Sequence, residues 1–231
     1  LKLGLVDWTA VRRDLDDLGV ARLPAVLSAA ECDAAVGLYA DEARFRKRVL
    51  MERLRFGAGE YQYFADPLPP LVARLREAAY GPLAAIANDW QRRLERPASF
   101  PPTLAGFLRR CHAAGQTKPT PLMLRYEAGG YNRLHQDLYG ALAFPLQMTF
   151  LLSRPGADFA GGEMLFLENR PREQSIGTAV ALRRGEGVVF AVGDRPIPRA
   201  RGFRRATLRH GVSRITSGRR FTLGIIFHDA K

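Results

Sequence analysis

At 231 residues, with hydrophobic residues at 47% and charged residues at 25%, the chain has the composition of an ordered globular protein and can bury a substantial core. No stretch approaches the roughly 18 uninterrupted apolar residues of a membrane span, and the opening LKLGLVDWTAVRRDLDD lacks a basic-then-apolar leader, so a cytoplasmic protein without membrane association is expected. The net charge of +12, with nine arginines between Arg195 and Arg220, sets up a field that attracts polyanions such as nucleic acid, although such charge also serves solubility alone. Cys32 and Cys111 lie far apart and in no metal spacing, so both are expected to be reduced, buried thiols.

Up to about residue 117 the chain reads as mainly helical. Trp8 to Leu18 is amphipathic at helical spacing, and the apolar segment GVARLPAVL after it suits a strand. Ser28 and Glu31 form a capping box, each side chain satisfying the other's backbone N–H, which opens a helix expected to reach about Ala43. From Pro67 to about Leu94 apolar and basic residues recur at helical spacing, with Pro69 and Pro70 suited to the first turn and Gly81 a candidate break. A further helix is expected from Thr103 to Ala114.

After Lys118 the pattern changes to short apolar runs punctuated by Gly, Pro and Asn: PLMLRYE, YNRLHQD, PLQMTFLLS, GEMLFLE, GTAVALR, GVVFAV, ATLRHGVSRI and RFTLGIIFH. Short strands separated by turn signals predict an antiparallel sandwich or jelly roll, not a βαβ fold. The expected class is therefore α+β. Residues 1–231 form a single domain, with a double-stranded β-helix (jelly roll) over 118–231 and the helices of 1–117 packed on one sheet.

His135 and Asp137 sit two apart at a strand end, so their side chains point to one side and reach a single cation. A second histidine would complete a two-His, one-carboxylate set, which leaves three positions open on iron(II). His210, in a strand downstream, supplies it. Ten residues further on comes Arg220, with Thr222 on the same face. A planar guanidinium pairs bidentately with a carboxylate, and a neighbouring hydroxyl adds a third hydrogen bond. Arg219 alternates to the other side, toward solvent or substrate. His112 lacks a partner at i+4, and His228 and Asp229 face opposite ways in an extended segment, so these read as structural. Gly161 and Gly162 suit a tight turn into a strand.

Together, LRYEAGGYNRLHQD, GGEMLF, GVVF and HGVSRITSGRRFTLGI resemble the iron(II)- and 2-oxoglutarate-dependent oxygenase superfamily, whose pattern is HxD, a distal His, then Arg or Lys ten residues later followed by Ser or Thr. That resemblance covers about the last half of the chain. More narrowly, FRKRVLMERLRFGAGEYQYF, the helix ending in IANDW, and LHQDLYG look like a bacterial family of such oxygenases proposed to act on damaged DNA bases. The resemblance implies iron(II) held by His135, Asp137 and His210, 2-oxoglutarate anchored by Arg220 and Thr222, and O2 as oxidant. It also matches Tyr126 to a tyrosine that lines the co-substrate pocket of the prolyl-hydroxylase branch. Where that branch carries another tyrosine on the strand after the metal motif, this chain offers Gln147, Thr149 and Leu151. The carboxylate of Asp137 favours hydroxylation, since related halogenases lack it.

Three readings of the activity follow. Oxidative demethylation of an alkylated base, with single-stranded or damaged nucleic acid as partner, fits the charge and the narrower resemblance. Tyr131 and Tyr139, flanking the metal motif, are then candidates for the slot that takes a flipped base. Hydroxylation of a protein side chain or free amino acid fits the YxxGG and HxD spacing shared with prolyl hydroxylases. The third reading is a jelly-roll sensor that keeps metal without turnover; the intact ligand set with its placed arginine argues against it.

Overall fold

Helix α1 (Trp8–Leu18) starts at Asp7, whose carboxylate accepts from the N–H groups of Thr9 and Ala10 at 2.9 and 3.0 Å, and stops at Gly19, left-handed at φ 71°. The structure is a computed structural model that describes residues 2–97, 99–138 and 140–231. Strand β1 (Val20–Leu23) follows, then α2 (Ala29–Gly37), which carries the capping box between Ser28 and Glu31. It ends before Ala43, giving way to 3-10 turns at Leu38–Ala40 and Glu42–Arg44. That departure brings Tyr39 into the core, where its hydroxyl donates to buried Glu60 at 2.9 Å.

Three strands then appear where the sequence pattern announced none: β2 (Phe45–Leu50), β3 (Gly57–Ala58) and β4 (Glu60–Phe64). FRKRVL can be half basic because β2 is an edge strand: Lys47 is exposed, Arg46 donates to the Pro119 carbonyl at 2.8 Å, and Arg48 pairs with Glu60. Helix α3 (Pro70–Arg93) passes unbroken through Gly81 and Pro82. The burial of Tyr80, Leu83 and Ala84 holds it across the residue that lacks an N–H, which overrides the expected break. Helix α4 (Leu104–Ala113) is capped by the Thr103 hydroxyl.

The rest of the chain is β5 (Leu122–Glu127), β6 (Tyr131–His135), β7 (Leu146–Leu151), β8 (Phe159–Gly161), β9 (Met164–Asn169), β10 (Ile176–Val180), β11 (Gly187–Ala191), β12 (Asp194–Pro198), β13 (Phe203–Val212) and β14 (Ile215–Ile225). All eight predicted runs are strands. The additions are β8, only three residues long, and β12, which contains two prolines.

One sheet has the order β1-β11-β7-β14-β5-β4-β2, with β8 also on β14; the other runs β10-β9-β13-β6-β3, with β12 on β13. Together they form the expected α+β jelly roll. Helix α1 packs on β1 and β11, and α3 meets β14, so the helices cover the larger sheet. Buried Arg195 ties the layers together: its Nε donates to Glu168 at 2.6 Å, and its Nη1 and Nη2 donate to the carbonyls of Asp16 and Asp17 at 2.8 and 3.0 Å. Cys32 and Cys111 are free and buried. Among the described residues no helix is long and apolar enough to cross a membrane.

Candidate metal centre and co-substrate cavity

Strands β6 and β13 pair with His135 opposite His210 and Asn132 opposite Val212, so Arg133 and Leu134 together oppose the single residue Gly211. This β-bulge shifts the phase of alternation. Asn132 and His135 both line the cavity between the sheets, whereas Arg133 and Leu134 are both pushed out to solvent. Gly211 permits the bulge, since a Cβ there would lie 2.6 Å from the Asn132 carbonyl oxygen.

The imidazoles of His135 and His210 face each other with ring centroids 4.3 Å apart. Asp137 brings Oδ1 to 3.4 Å from His135 Nε2 and Oδ2 to 3.4 Å from His210 Nε2, and the ligand atoms of the three residues all lie within 4.8 Å of one another. His135 Nδ1 is 2.7 Å from the Arg133 carbonyl; donating there, it leaves Nε2 to ligate. From β7, Gln147 donates Nε2 to Asp137 Oδ2 at 3.1 Å and lies 3.3 Å from His210 Nε2.

Burial opposes charge on Asp137, but the two imidazoles outweigh it and hold the carboxyl well below the usual carboxylate range. Burial pushes His210 down against the pull of Asp137, while on His135 the Asp137 carboxylate outweighs burial and raises the ring. Two imidazole nitrogens and one carboxylate oxygen on one face suit iron(II) with positions left open.

On β14, Arg220 pairs across the sheet with Tyr126 of β5, and Thr222 with Leu124. Arg220 is 2% exposed, and its Nε and Nη1 have no hydrogen-bond partner among the described residues. Its guanidinium carbon lies 5.8 Å from the ring centroids of both Tyr126 and Phe159. Burial pushes its pKa down to about 10, so it stays charged at neutral pH. The Tyr126 hydroxyl is likewise buried without a partner, and burial pushes its pKa up. Tyr126, Thr149 and Thr222 line the same cavity as the three metal-site side chains, whereas Arg220 opens on a second cavity bordered by Phe159, Gly162 and Leu182.

Gly162 makes room for Arg220. At φ 73° its Cβ would lie 2.8 Å from Arg220 Cδ and 2.3 Å from Ile215 Cδ1. Gly162→Ala is expected to cost about 1–3 kcal/mol in denaturant unfolding, from left-handed strain and overpacking. An unchanged unfolding midpoint would show that the turn yields freely.

Tyr131 precedes inward-facing Asn132 and therefore faces away from the cavity, with the Arg214 guanidinium 4.9 Å over its ring. Tyr131, expected to flank a substrate slot, thus stands outside the lining of this cavity. Tyr139 lies outside the described residues. The aromatic wall instead comes from β4 and the turn before it: Tyr61 and Tyr63, with ring centroids 5.4 Å apart, and Phe56. The alternation in EYQYF was a signal for that tyrosine pair, but nothing in the sequence placed β4 beside β5.

Arg219 is exposed and pairs with Glu127 at 3.3 Å. The run of nine arginines is not a continuous basic face: Arg195 and Arg220 are buried, Arg204 pairs with Glu173, and Arg205 lies 3.7 Å from Asp194.

The remaining histidines belong to a separate network. Asp229 Oδ1 accepts from Arg76 at 2.7 Å, its Oδ2 lies 2.9 Å from His112 Nε2, and His228 Nδ1 accepts the Phe144 N–H at 3.1 Å. Burial, reinforced by the Arg76 charge, pushes His228 from 6.5 down to about 4. The unfolded chain therefore takes up this proton at higher pH than the folded one. Stability should fall as pH drops from about 6.5 to about 4 and be insensitive to this group outside that window. Unfolding midpoints across this range should slope less steeply for His228→Gln; identical slopes would assign the effect to other groups.

Solved structures share this architecture. A Pseudomonas putida prolyl-4-hydroxylase superposes with a TM-score of 0.55 at 17% identity, over 97% of this chain and 99% of that one. A Burkholderia pseudomallei oxidoreductase of the 2OG-Fe(II) oxygenase family does so with a TM-score of 0.56 at 13% identity, over 98% and 93%. At such identities the likeness is of fold. The fold, with two histidines and a carboxylate set between its sheets, is that of the iron(II)-, 2-oxoglutarate- and O2-using oxygenases. Residues 59–230 match the Oxygenase-NA family, described as an oxygenase catalysing oxidative methylation of damaged DNA, and the chain belongs to that family and is an oxidoreductase. Two uncharacterized proteins from strains of Mycobacterium tuberculosis are each 50% identical to it over 167 residues, 72% of this chain and 72% of each relative.

Proposed function

We propose that the enzyme oxidises N-alkyl groups on damaged DNA bases, with iron(II) held by His135, Asp137 and His210 and 2-oxoglutarate held by Arg220, Thr222 and Tyr126. The observation that carries the co-substrate assignment is the Arg220 guanidinium, buried 5.8 Å from the Tyr126 ring centroid; among the described residues its Nε and Nη1 and the Tyr126 hydroxyl have no hydrogen-bond partner. Unmatched buried groups cost about 1–3 kcal/mol each, more when charged. The far carboxylate of a dicarboxylic acid would satisfy them together. The three ligand atoms within 4.8 Å fit one cation in the same way.

When bound, iron(II) with 2-oxoglutarate and O2 supplies the oxidising power to put a hydroxyl on a substrate carbon, with succinate and carbon dioxide as co-products. The chain's own part is positional. The imidazoles keep Asp137 ionised, Gln147 orients its carboxylate, and the Arg133 carbonyl sets the His135 tautomer. Tyr61 and Tyr63 wall the cavity with π faces that suit a planar base.

An oxygenase adds oxygen to a methyl group and does not supply one, so this chemistry fits the family description as removal of a methyl. A hydroxyl on a carbon attached to ring nitrogen makes a hemiaminal; its C–N bond breaks, the hydroxyl proton passes to the nitrogen, and formaldehyde leaves.

The test is a single-stranded oligonucleotide bearing an N-methylated base. It should yield formaldehyde and succinate in equal amounts, while the unmethylated strand yields no formaldehyde. Hydroxylation of a proline-containing peptide, with no response to the methylated strand, would overturn the DNA reading in favour of protein side-chain hydroxylation.

A further inference from the structure

The cavity opens onto a surface that is both apolar and basic. Phe56 lines the cavity yet is 40% exposed, and its carbonyl accepts the Arg133 N–H at 2.8 Å, which stitches its turn to the bulged strand. The bulge leaves Leu134 38% exposed, and Leu138, next to Asp137, is 55% exposed. Apolar side chains gathered at a cavity mouth mark a surface that something covers. Arg53 and Arg55 precede Phe56 in the same turn, and Arg133 is bonded to that turn through its N–H; all three are exposed. Among the described residues their guanidinium groups have no hydrogen-bond or ion-pair partner, unlike Arg204, Arg205 and Arg219.

We infer that this lip is the site that grips single-stranded DNA, with Arg53, Arg55 and Arg133 on phosphates and Phe56 and Leu134 packed on the base beside the one that enters the cavity. The inference rests on the nucleic-acid reading above. Charge complementarity names the occupant: three unpaired guanidinium groups around an aromatic and an aliphatic side chain match a chain that alternates phosphate charge with π faces. A stacked duplex offers no such faces, and a base must leave the stack to reach a cavity between two sheets. The β-bulge thus does two things at once, turning His135 inward and presenting Arg133 and Leu134 to the strand.

Fluorescence anisotropy of a labelled single-stranded oligonucleotide, titrated with the full chain between about 50 and 200 mM salt, tests this. The triple variant Arg53→Gln/Arg55→Gln/Arg133→Gln should bind about tenfold or more weakly at the lower salt, and the slope of log affinity against log salt should flatten by about 2, at roughly 0.7 per lost contact. Phe56→Trp should bind as tightly as the parent, and its added tryptophan fluorescence should be quenched by the strand as the indole stacks. Parent binding that the triple variant leaves unchanged, with no quenching in Phe56→Trp, would overturn the lip while the nucleic-acid reading stands. A parent that binds no oligonucleotide at either salt would overturn both. Should the triple variant not fold, the presence or absence of quenching in Phe56→Trp decides alone.

Discussion

His135→Ala is expected to leave a folded protein that retains no iron(II) and forms no succinate from 2-oxoglutarate. Loss of a residue that merely supports a metal ligand costs about 10–100-fold in affinity or activity, and loss of one of three protein ligands should exceed that. Of the three proposed ligands, His135 has the most local environment. Its tautomer depends on the Arg133 carbonyl in its own strand, and its orientation depends on the bulge opposite Gly211. Truncating the ring removes the proposed ligand and its ring contact with His210, while the buried core that holds His210 stays in place. Iron content after anaerobic loading, beside a far-ultraviolet circular dichroism spectrum, checks both halves of this expectation. Wild-type iron content in the variant would remove His135 from the site.

Arg220→Ala should separate co-substrate binding from metal binding. Truncating one partner of a buried, hydrogen-bonded charge pair costs about 2–5 kcal/mol, so the 2-oxoglutarate requirement should rise by roughly 30- to several-thousand-fold. Iron retention should stay near that of the parent, because Arg220 makes no hydrogen bond or ion pair to the three metal-site residues. Arg220→Lys, which keeps charge but loses the fork, should fall between the two. A titration of succinate formation against 2-oxoglutarate gives the shift directly. Equal loss of iron and co-substrate would assign Arg220 a structural role in place of an anchoring one.

The later strands were legible because they are buried on both faces or alternate cleanly, and because glycine, proline and asparagine separate them. LQMTFL and GVVFA, buried throughout, could hardly be anything else. The helix starts were legible for an equally local reason, in that Asp7, Ser28 and Thr103 each accept a nearby backbone N–H. Strands β3 and β4 were not legible since they pair with distant β6 and β5, and edge strand β2 depends in turn on β4.

The site was legible in part. The spacing of His135, Asp137, His210 and Arg220 is a property of the sequence, but the cavity wall is a property of the topology. Tyr131 attracted attention by lying near the motif, yet the bulge turns it outward, and Tyr61 and Tyr63 arrive from far earlier in the chain. Gln147 illustrates the same limit, since a residue seen only as standing where a tyrosine was expected turns out to hydrogen-bond the Asp137 carboxylate. Counting arginines from 195 to 220 says nothing of burial, and Arg195 and Arg220 lie inside the protein.

The most direct measurement is succinate formation by protein loaded anaerobically with iron(II), given 2-oxoglutarate and then exposed to oxygen, for the parent, His135→Ala and Arg220→Ala side by side. The parent should form succinate, His135→Ala should form none, and Arg220→Ala should recover only at much higher 2-oxoglutarate. A parent that binds no iron(II) and forms no more succinate than His135→Ala would contradict the assignment of this site.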